Sequence, residues 1–457
     1  MATDSGKVWL AHISGDRRQN VEEHLEAVAA LSSRFASAFG SPDQGYLVGL
    51  AHDIGKCSEE FQRRLCGGPI VDHSSAGAFE CAKRNALWAA CCVVGHHGGI
   101  PNLGNADFDT VETRSVYGRI KKALTNGIPD YECPVVLPSI SAPHGYGDNY
   151  IDDYFVIKML FSCLVDADFL DTEHFMSGNA AEEHSYDSLA DLLCKLKQFV
   201  SDRGWLSPKG ELNQARSDVL NSCLNESVQS QSLYTLTVPT GGGKTIASLG
   251  FALSHVVKTG KARVIYVLPY TSIIEQTADV FRTILGKENV VEHHSDIAYT
   301  TGDYYEGNGY VRATENWDAP VIVTTSVQFF ESLYDNRPSK CRKLHNIANS
   351  VVVFDEAQFI PVSQLRPCVA AITKVAELFN TTVVLCAATQ PVLGDLVASY
   401  CPGLKSKELC PNSTLLYSAL RRATVVDVGA LEQDELLAAL KTHEQVLCIV
   451  NTYVNGK

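Results

Sequence analysis

The sequence predicts a multidomain protein with an all-α N-terminal domain, an α/β domain with a parallel sheet, and the start of a second α/β domain. A chain of 457 residues is longer than one hydrophobic core normally serves. In the N-terminal part, apolar residues such as Leu25, Val28 and Leu31 recur at helical spacing. Further on, short β-branched runs alternate with helical stretches, which is typical of a parallel sheet covered on both faces.

The boundaries follow from changes in this pattern. We expect the helical domain over residues 1–180, a linker with a helical lead-in over 181–230, the first α/β domain over 231–415 and the incomplete second one over 416–457. In the first domain, helices are predicted at 23–35, 86–94 and 154–170, with long loops and a short helix over 100–150. Strands are predicted at 232–238, 263–268, 321–323, 350–354, 382–387 and 445–450.

Composition and charge exclude several classes of protein. The net charge of −14 argues against a protein that coats nucleic acid electrostatically, so any such contact must be a local groove. No apolar run approaches the ~18–20 residues of a membrane span, and the N-terminus lacks a signal-peptide pattern, so a cytoplasmic location is expected. The 15 cysteines include no C-x-x-C pair, which favours buried, reduced thiols over a zinc ribbon.

Histidines and aspartates in the helical domain form the first candidate site. His24 lies on the apolar stripe of its helix, and a second helix carries Asp168 on the stripe of Ile157 and Phe161, which favours it over Asp166 as the inward ligand. A mixed imidazole and carboxylate set suits a divalent transition metal such as Mn, Fe, Co, Ni or Zn better than Ca. The candidate metal ligands are His24, His52, Asp53, His73, His96, His97 and Asp168.

This set of residues is suited to hydrolysis. One carboxylate can bridge two ions ~3.5–4 Å apart, which together activate water and stabilise the leaving oxygen of a phosphodiester. His52 and Asp53 are therefore candidate catalytic residues, and Lys56 adds a positive charge near the phosphate. His12 stays open between a role in the site and a polar start to the fold.

A phosphate-binding loop is predicted at residues 239–245, where a strand, a glycine-rich turn, Lys-Thr and a helix follow one another. Val238 stands where the general pattern has glycine. Lys244 would reach the β- and γ-phosphates of ATP, and Thr245 would hold Mg²⁺. The candidate nucleotide-binding residues of this loop are Thr240, Gly241, Gly242, Gly243, Lys244 and Thr245.

Further polar residues follow the other predicted strands. Asp355 would bind Mg²⁺ through water, and Glu356 would orient the attacking water. Thr271, Thr324, Thr325 and Thr389 could contact a sugar-phosphate backbone or couple it to ATP, although ordinary turn chemistry explains each one alone. The pair His293-His294 is interpreted as part of this domain and not as a metal site.

The order of these motifs resembles a known family. A histidine, then His52-Asp53, then a late aspartate resembles the HD phosphohydrolase superfamily, and residues 239–245 and 355–358 resemble motifs I and II of superfamily 2 helicases. Together they resemble the CRISPR-associated HD-nuclease/superfamily 2 helicase effector of type I interference systems. The resemblance implies an HD domain that degrades single-stranded DNA with a divalent metal, a RecA-like motor that uses ATP and Mg²⁺, and recruitment by an RNA-guided surveillance complex.

Three expectations remain open at this point. The arginine-bearing motifs of a second RecA-like domain are absent before Lys457, so the chain is expected to be truncated after the first such domain. An expression fragment, a truncated gene product and half of a split protein, with the missing domain on another chain, are the alternatives. An HD-type nucleotide phosphohydrolase with a regulatory NTP-binding domain is the alternative function. A non-catalytic module bound to a partner is the third.

Overall fold

The computed structural model describes residues 7–178, 185–205, 207–227, 231–294, 313–410, 413–421 and 423–449. Residues 1–6, 179–184, 206, 228–230, 295–312, 411–412, 422 and 450–457 lie outside the described residues, and they include parts of the predicted linker and of the predicted second α/β domain. The chain forms two compact units, of which the first extends to Ala419 and the second begins at Leu420.

The first unit begins with the predicted helical domain. Its helices are α1 (Val21–Ala36), α2 (Pro42–Ala51), α3 (Glu59–Leu65), α4 (Ser74–Lys83), α5 (Leu87–Gly95), α6 (Val116–Leu124) and α7 (Tyr150–Ser177). An antiparallel hairpin precedes them, formed by β1 (Leu10–Ser14) and β2 (Arg17–Asn20). The sequence did not predict this hairpin, because its strands are short, mostly polar and without clear alternation.

Capping and apolar spacing explain the two helices that carry most of the site. Asn20 and Glu23 form a capping box at the start of α1, whose buried face includes Leu25, Val28 and His24. The side chain of Asn149 caps α7 by accepting hydrogen bonds from two backbone amides. Most of the first half of α7 is buried, so this helix passes through the centre of the unit.

Two further helices, α8 (Leu189–Asp202) and α9 (Glu211–Glu226), lead into the α/β domain and pack on its first helix. Within the described residues the sheet has seven parallel strands in the order β5-β6-β4-β7-β8-β3-β9. The strands are β3 (Leu233–Thr237), β4 (Arg263–Leu268), β5 (Val290–His293), β6 (Val321–Thr325), β7 (Ser350–Phe354), β8 (Thr382–Ala387) and β9 (Lys407–Glu408). The helices are α10 (Lys244–Thr259), α11 (Thr271–Leu285), α12 (Ser326–Tyr334), α13 (Pro338–Cys341), α14 (Leu365–Leu378), α15 (Gly394–Tyr400) and α16 (Ser413–Ala419).

The predicted parallel sheet is confirmed, and its central strands lie where the sequence placed them. Strands β6, β7 and β8 are buried at every position, as expected when helices cover both faces. The edge strands β5 and β9 were not predicted, because they are short and contain Glu292, Lys407 and Glu408. Since all strands are parallel, the loops after β3, β4, β6, β7 and β8 meet at one edge of the sheet.

A buried ion-pair network joins α7 to the α/β domain. The Nε atom of Arg342 donates to Asp166 Oδ1 over 2.8 Å, and Nη1 of the same arginine donates to Glu315 over 2.7 Å. Burial raises the pKa of Asp166 to about 6, although the Arg342 guanidinium opposes this shift. The ring of His345 stacks on Phe35 of α1 with the ring centroids 4.4 Å apart. The helical domain and the sheet are therefore held in one arrangement.

A second contact joins the loop after α5 to the loop after α12. Gly99 has a φ of +92°, and a Cβ atom there would lie 2.4 Å from the backbone oxygen of Asn336. Glycine is therefore required both by the left-handed backbone and by the close approach. Helix α12 thus extends from Thr325, at the loop edge of the sheet, to the loop that follows the predicted ligand His97.

The second unit contains one helix among its described residues, α17 (Gln433–Lys441), which begins with a capping box at Glu432. The predicted strand at 445–450 is wrong over its described part, 445–449, which has no regular structure. A strand forms only when another strand pairs with its backbone, and no described strand pairs with this segment. In the part of the chain that the structure describes, no helix combines the length and hydropathy needed to cross a membrane.

Candidate metal centre and nucleotide-binding site

The structure brings the predicted ligands of the helical domain together around Asp53. His52 and Asp53 follow the end of α2 and are fully buried. Oδ2 of Asp53 lies 3.2 Å from Nε2 of His52 and 3.4 Å from Nε2 of His24. Oδ1 of Asp168, in α7, lies 3.5 Å from the same atom of His24. These four side chains form the first ligand set.

The other oxygen of Asp53 faces a second ligand set. Oδ1 lies 3.3 Å from Nε2 of His73, which precedes α4, and 3.3 Å from Nε2 of His96, which follows α5. His97 completes the set, with its Nε2 atom 2.7 Å from Nε2 of His73. Asp53 is therefore shared by both sets and presents one oxygen to each.

Three of the imidazoles, those of His24, His52 and His96, are oriented as metal ligands require. The Nδ1 atoms of His52 and His96 lie 2.7 Å and 2.6 Å from the carbonyl oxygens of Gly49 and Val93. Nδ1 of His24 lies 2.7 Å from Oδ2 of Asp171. When Nδ1 donates to such an acceptor, the lone pair of Nε2 is directed into the cluster.

Distances and unsatisfied atoms also fit bound ions. Ligand atoms about 2.1 Å from a tetrahedral ion lie about 3.4 Å apart, close to the separations around Asp53. Among the described residues, neither Asp53 Oδ1 nor His96 Nε2 has a hydrogen-bond partner, although both are buried and 3.3 Å apart. Buried polar atoms without a partner are rare unless an ion or water satisfies them. The side chains present therefore suit two divalent cations.

The charges of the cluster are strongly coupled. Burial alone would lower the pKa of His52, but the Asp53 and Asp168 carboxylates outweigh it and raise that pKa to about 10. Burial would raise the pKa of Asp53, but the Lys56 ammonium and His52 hold it well below its usual range. Because a metal needs the neutral imidazole, binding at this set must displace a proton.

A chain of hydrogen bonds outside the ligands includes residues that the sequence analysis did not identify. Lys56 is buried, with Nζ 2.6 Å from Asp53 Oδ2 and 3.2 Å from His12 Nε2. The Nδ1 atom of His12 lies 2.8 Å from Gln19 Oε1, and Gln19 Nε2 donates to Asp171 Oδ2 over 2.8 Å. Asp171 follows Asp168 by three residues on α7, which places both on one helix face. This spacing was the available signal for Asp171.

The structure separates the two aspartates that the sequence analysis weighed against each other. Asp168 faces the first ligand set, as its apolar stripe suggested. Asp166 lies on the opposite side of α7 and binds Arg342. Solvent reaches the cluster mainly through the second set, because His97 is exposed whereas His24, His52 and His96 are buried.

The phosphate loop has the expected backbone. Gly241 and Gly243 have φ values of +78° and +82°, which favour glycine, and Gly243 caps α10. Lys244 pairs with Glu356 and lies 3.3 Å from Asp355 Oδ1, as suits a site where this lysine alternates between acids and phosphate. Thr240 is exposed, Gly242 is buried and Thr245 is half-buried at the start of α10.

The acidic pair after β7, Asp355 and Glu356, is positioned by a hydrogen bond and by its backbone conformation. Tyr266 donates to Asp355 Oδ2 over 3.0 Å, and burial raises the pKa of Asp355 although Lys244 opposes this. Glu356 has a φ of 55°, in the left-handed region that few non-glycine residues adopt. Such strain is often found at functional positions, and here it directs the carboxylate towards Lys244.

A cavity of about 720 Å³ adjoins the phosphate loop. Its outer wall comes from α9 and the segment before it, which the sequence analysis treated only as a linker and lead-in. Arg216 contributes to this wall and donates to the carbonyl oxygen of Gly241 over 2.8 Å. Trp205, in the segment before α9, also lines the cavity. Neither residue belongs to a sequence motif, so only the folded structure shows that they line this cavity.

The threonines at the sheet edge differ in exposure. Thr324 is fully buried and donates to the carbonyl oxygen of His293 over 2.8 Å, so its expected DNA contact is not available in this structure. The hydroxyl of Thr325 accepts from the Gln328 amide and caps α12. A buried hydroxyl needs a partner inside the protein, which explains both outcomes. Thr271 is half-buried and Thr389 is exposed.

The pair His293-His294 lies at the end of β5, within the α/β domain. Trp317 donates to Nδ1 of His293 over 2.8 Å, and His294 lies 3.0 Å from Glu292. Neither histidine belongs to the two potential metal-binding groups found in the described residues.

Family models match both halves of the first unit. Residues 21–121 match the HD domain, and residues 214–396 match the DEAD/DEAH box helicase family. The chain therefore carries a helical HD domain followed by a helicase-type α/β domain. These two domains imply metal binding and ATP binding in general terms.

Individual relatives point to one kind of HD-helicase. The chain is 29% identical over 259 residues to the CRISPR-associated nuclease/helicase Cas3 of Haloferax volcanii. The aligned region covers 49% of this chain and 27% of that protein. The crystal structures of T. fusca Cas3 and of its AMPPNP complex each match with a TM-score of 0.55, at 16% and 18% identity. Both matches cover 86% of this chain and 52% of the T. fusca chain, so they show a shared fold over about half of its length. Together the domains and relatives are consistent with a Cas3-like HD-helicase.

Proposed function

We propose that the helical domain, residues 1–180, is a metal-dependent nuclease acting on single-stranded DNA. The observation that carries this proposal is Asp53, whose two oxygens each face a separate set of ligands. Such an arrangement suits two divalent ions, which supply an activated water and stabilise the leaving oxygen of a phosphodiester. The mixed imidazole and carboxylate ligands favour Mn, Fe, Co or Ni.

The residues of the chain would divide the work at this centre. His24, His52 and Asp168 would hold one ion, His73, His96 and His97 the other, and Asp53 both. Asp171 and the carbonyl groups of α2 and α5 keep the imidazoles in the ligating orientation. Lys56 keeps Asp53 ionised and leaves a positive charge beside the reacting phosphate.

We further propose that residues 231–415 form the ATP-binding half of a DNA helicase or translocase. Lys244 and Thr245 would bind the phosphates and Mg²⁺, Asp355 would hold Mg²⁺ through water, and Glu356 would orient the attacking water. The cavity beside Arg216 has room for the adenosine. A role in CRISPR antiviral defence is proposed from the name of the curated relative. Recruitment by an RNA-guided surveillance complex is proposed from the resemblance of the sequence motifs to the type I effector family.

One experiment separates these activities. Circular single-stranded DNA is incubated with the purified chain and Mn²⁺ or Ni²⁺, and nicking is followed on gels. Asp53→Ala should abolish cleavage, whereas Lys244→Ala should spare cleavage and abolish ATP binding. Release of phosphate from dNTPs without DNA cleavage would instead support the nucleotide phosphohydrolase, and equal loss of both activities in Lys244→Ala would contradict two independent centres.

A further inference from the structure

We propose that Arg119 and Lys122, on α6, bind a backbone phosphate of the DNA strand beside the bond that is cut. This inference rests on the proposed nuclease function and names residues that hold its substrate. Neither residue belongs to a ligand set or to a sequence motif.

The position of Arg119 is the first argument. The cluster opens to solvent where His97 is exposed and His73 is partly exposed. Ser74 is the next residue after His73, and Nη1 of Arg119 donates to its hydroxyl over 3.3 Å. The guanidinium therefore lies next to the residue that follows His73, the partly exposed ligand of the second set.

The local charge is the second argument. Nη1 of Arg119 lies 4.0 Å from Asp72 Oδ1, and Nζ of Lys122 lies 3.8 Å from Asp72 Oδ2. The Asp72 oxygens already accept hydrogen bonds from the amide and hydroxyl of Ser75, over 3.1 Å and 2.8 Å. Two cations thus share one engaged carboxylate at long distance, so these three side chains carry a net positive charge although the whole chain has a net charge of −14.

The way α6 is anchored is the third argument. Ser115 caps the helix by accepting from the Gly118 amide over 2.9 Å, and Lys121 donates to the carbonyl of Asp109 over 2.6 Å. Lys121, which lies between Arg119 and Lys122 in the sequence, therefore anchors the loop that precedes α6. Arg119 and Lys122 are three residues apart and share the face towards Asp72. Their side chains are 35% and 40% exposed, so a ligand can reach them.

The chemistry of these groups favours a phosphate. Guanidinium and ammonium groups are the common partners of phosphodiester oxygens, and arginine can offer two parallel donors. A divalent-metal centre acts on one phosphate, but it orients a flexible strand only if a neighbouring phosphate is also held. If Arg119 and Lys122 were only solvated cations near the end of α6, they would contribute to the stability of that helix and not to substrate binding.

The test compares the double variant R119Q/K122Q with the wild type, using a labelled single-stranded oligonucleotide and Mn²⁺ at several salt concentrations. We expect KM to rise roughly tenfold or more with kcat little changed, since charged hydrogen bonds to substrate are lost. The slope of log KM against log salt should fall by about 0.7 for each phosphate contact removed. The matched control is Arg63→Gln, whose exposed guanidinium pairs with Glu60 on α3 and should leave both quantities unchanged.

Bound metal is measured in each variant by elemental analysis. Unchanged KM and salt slope in the double variant would overturn the inference while leaving the nuclease proposal intact. Loss of bound metal together with cleavage would also overturn it, because the residues would then support the fold of the centre. If the wild type with full metal cleaves no single-stranded DNA, the proposed function itself fails, and this inference with it.

Discussion

Replacing Asp171 by alanine should weaken metal binding at the first ligand set and spare the second. Oδ2 of Asp171 lies 2.7 Å from Nδ1 of His24 and accepts from Gln19 over 2.8 Å, and the carboxylate is largely buried. Without this carboxylate, the His24 ring loses the acceptor that selects its tautomer and orientation. No residue of the second set contacts Asp171 in the described hydrogen bonds.

The expected magnitude follows from this role. Removing a group that orients a ligating imidazole typically lowers metal affinity about 10–100-fold, which corresponds to about 1.4–2.8 kcal/mol. Asp171→Asn should fall between the wild type and the alanine variant, because an amide oxygen still accepts from Nδ1 but carries no charge. The matched control is Glu173→Gln, an exposed acidic residue on the same helix.

The assay is a calorimetric titration of the metal-free protein with Mn²⁺, together with elemental analysis after dialysis. The alanine variant should show one site with wild-type affinity and one weakened site. Two sites of wild-type affinity in Asp171→Ala would refute the argument that this carboxylate orients His24. Weakening of both sites to the same extent would refute the division into two ligand sets.

Three further predictions concern other parts of the molecule. Because the metal-free pKa of His52 is raised to about 10, Mn²⁺ affinity should increase by up to about tenfold per pH unit between pH 6 and 9, and titration in buffers of different ionisation enthalpy should show a released proton; affinity independent of pH would contradict this. Lys244→Ala should lose ATP binding in a fluorescent-nucleotide titration while keeping wild-type nicking rates, and a parallel loss of nicking would contradict the prediction. Arg342→Ala should lower the free energy of unfolding in urea by about 3–5 kcal/mol, because it leaves the Asp166 carboxylate buried without its cation. Arg337→Ala, at an exposed ion pair, should cost at most about 1 kcal/mol, and equal losses would show that burial does not matter here.

Much of the fold was predictable because local patterns determine it. The central strands are short, apolar and β-branched, and the helices α1 and α7 carry apolar stripes. The periodicity of α7 also separated Asp168 from Asp166, since two residues of a helix that are two positions apart point in different directions. The edge strands were missed because they are short and contain charged residues, as loops do.

The site was predictable as a set of ligands but not as two separate sets. That Asp53 faces His24 through one oxygen and His96 through the other depends on how α1, α2 and α5 pack, and spacing along the chain does not encode this. The hydrogen bond between Gln19 and Asp171 spans 152 residues and arises only in the folded chain. Polar residues that act through another side chain have no motif of their own.

At Gly99 and Asn336, the loop after α5 and the loop after α12 touch with no side chain between their backbones. Backbone meets backbone there, and close-packed protein interiors transmit displacement instead of absorbing it. A displacement of α12 would therefore shift the residues just beyond His97. The candidate metal centre and the loop edge of the sheet are in this way connected through one short helix and one residue that has no side chain.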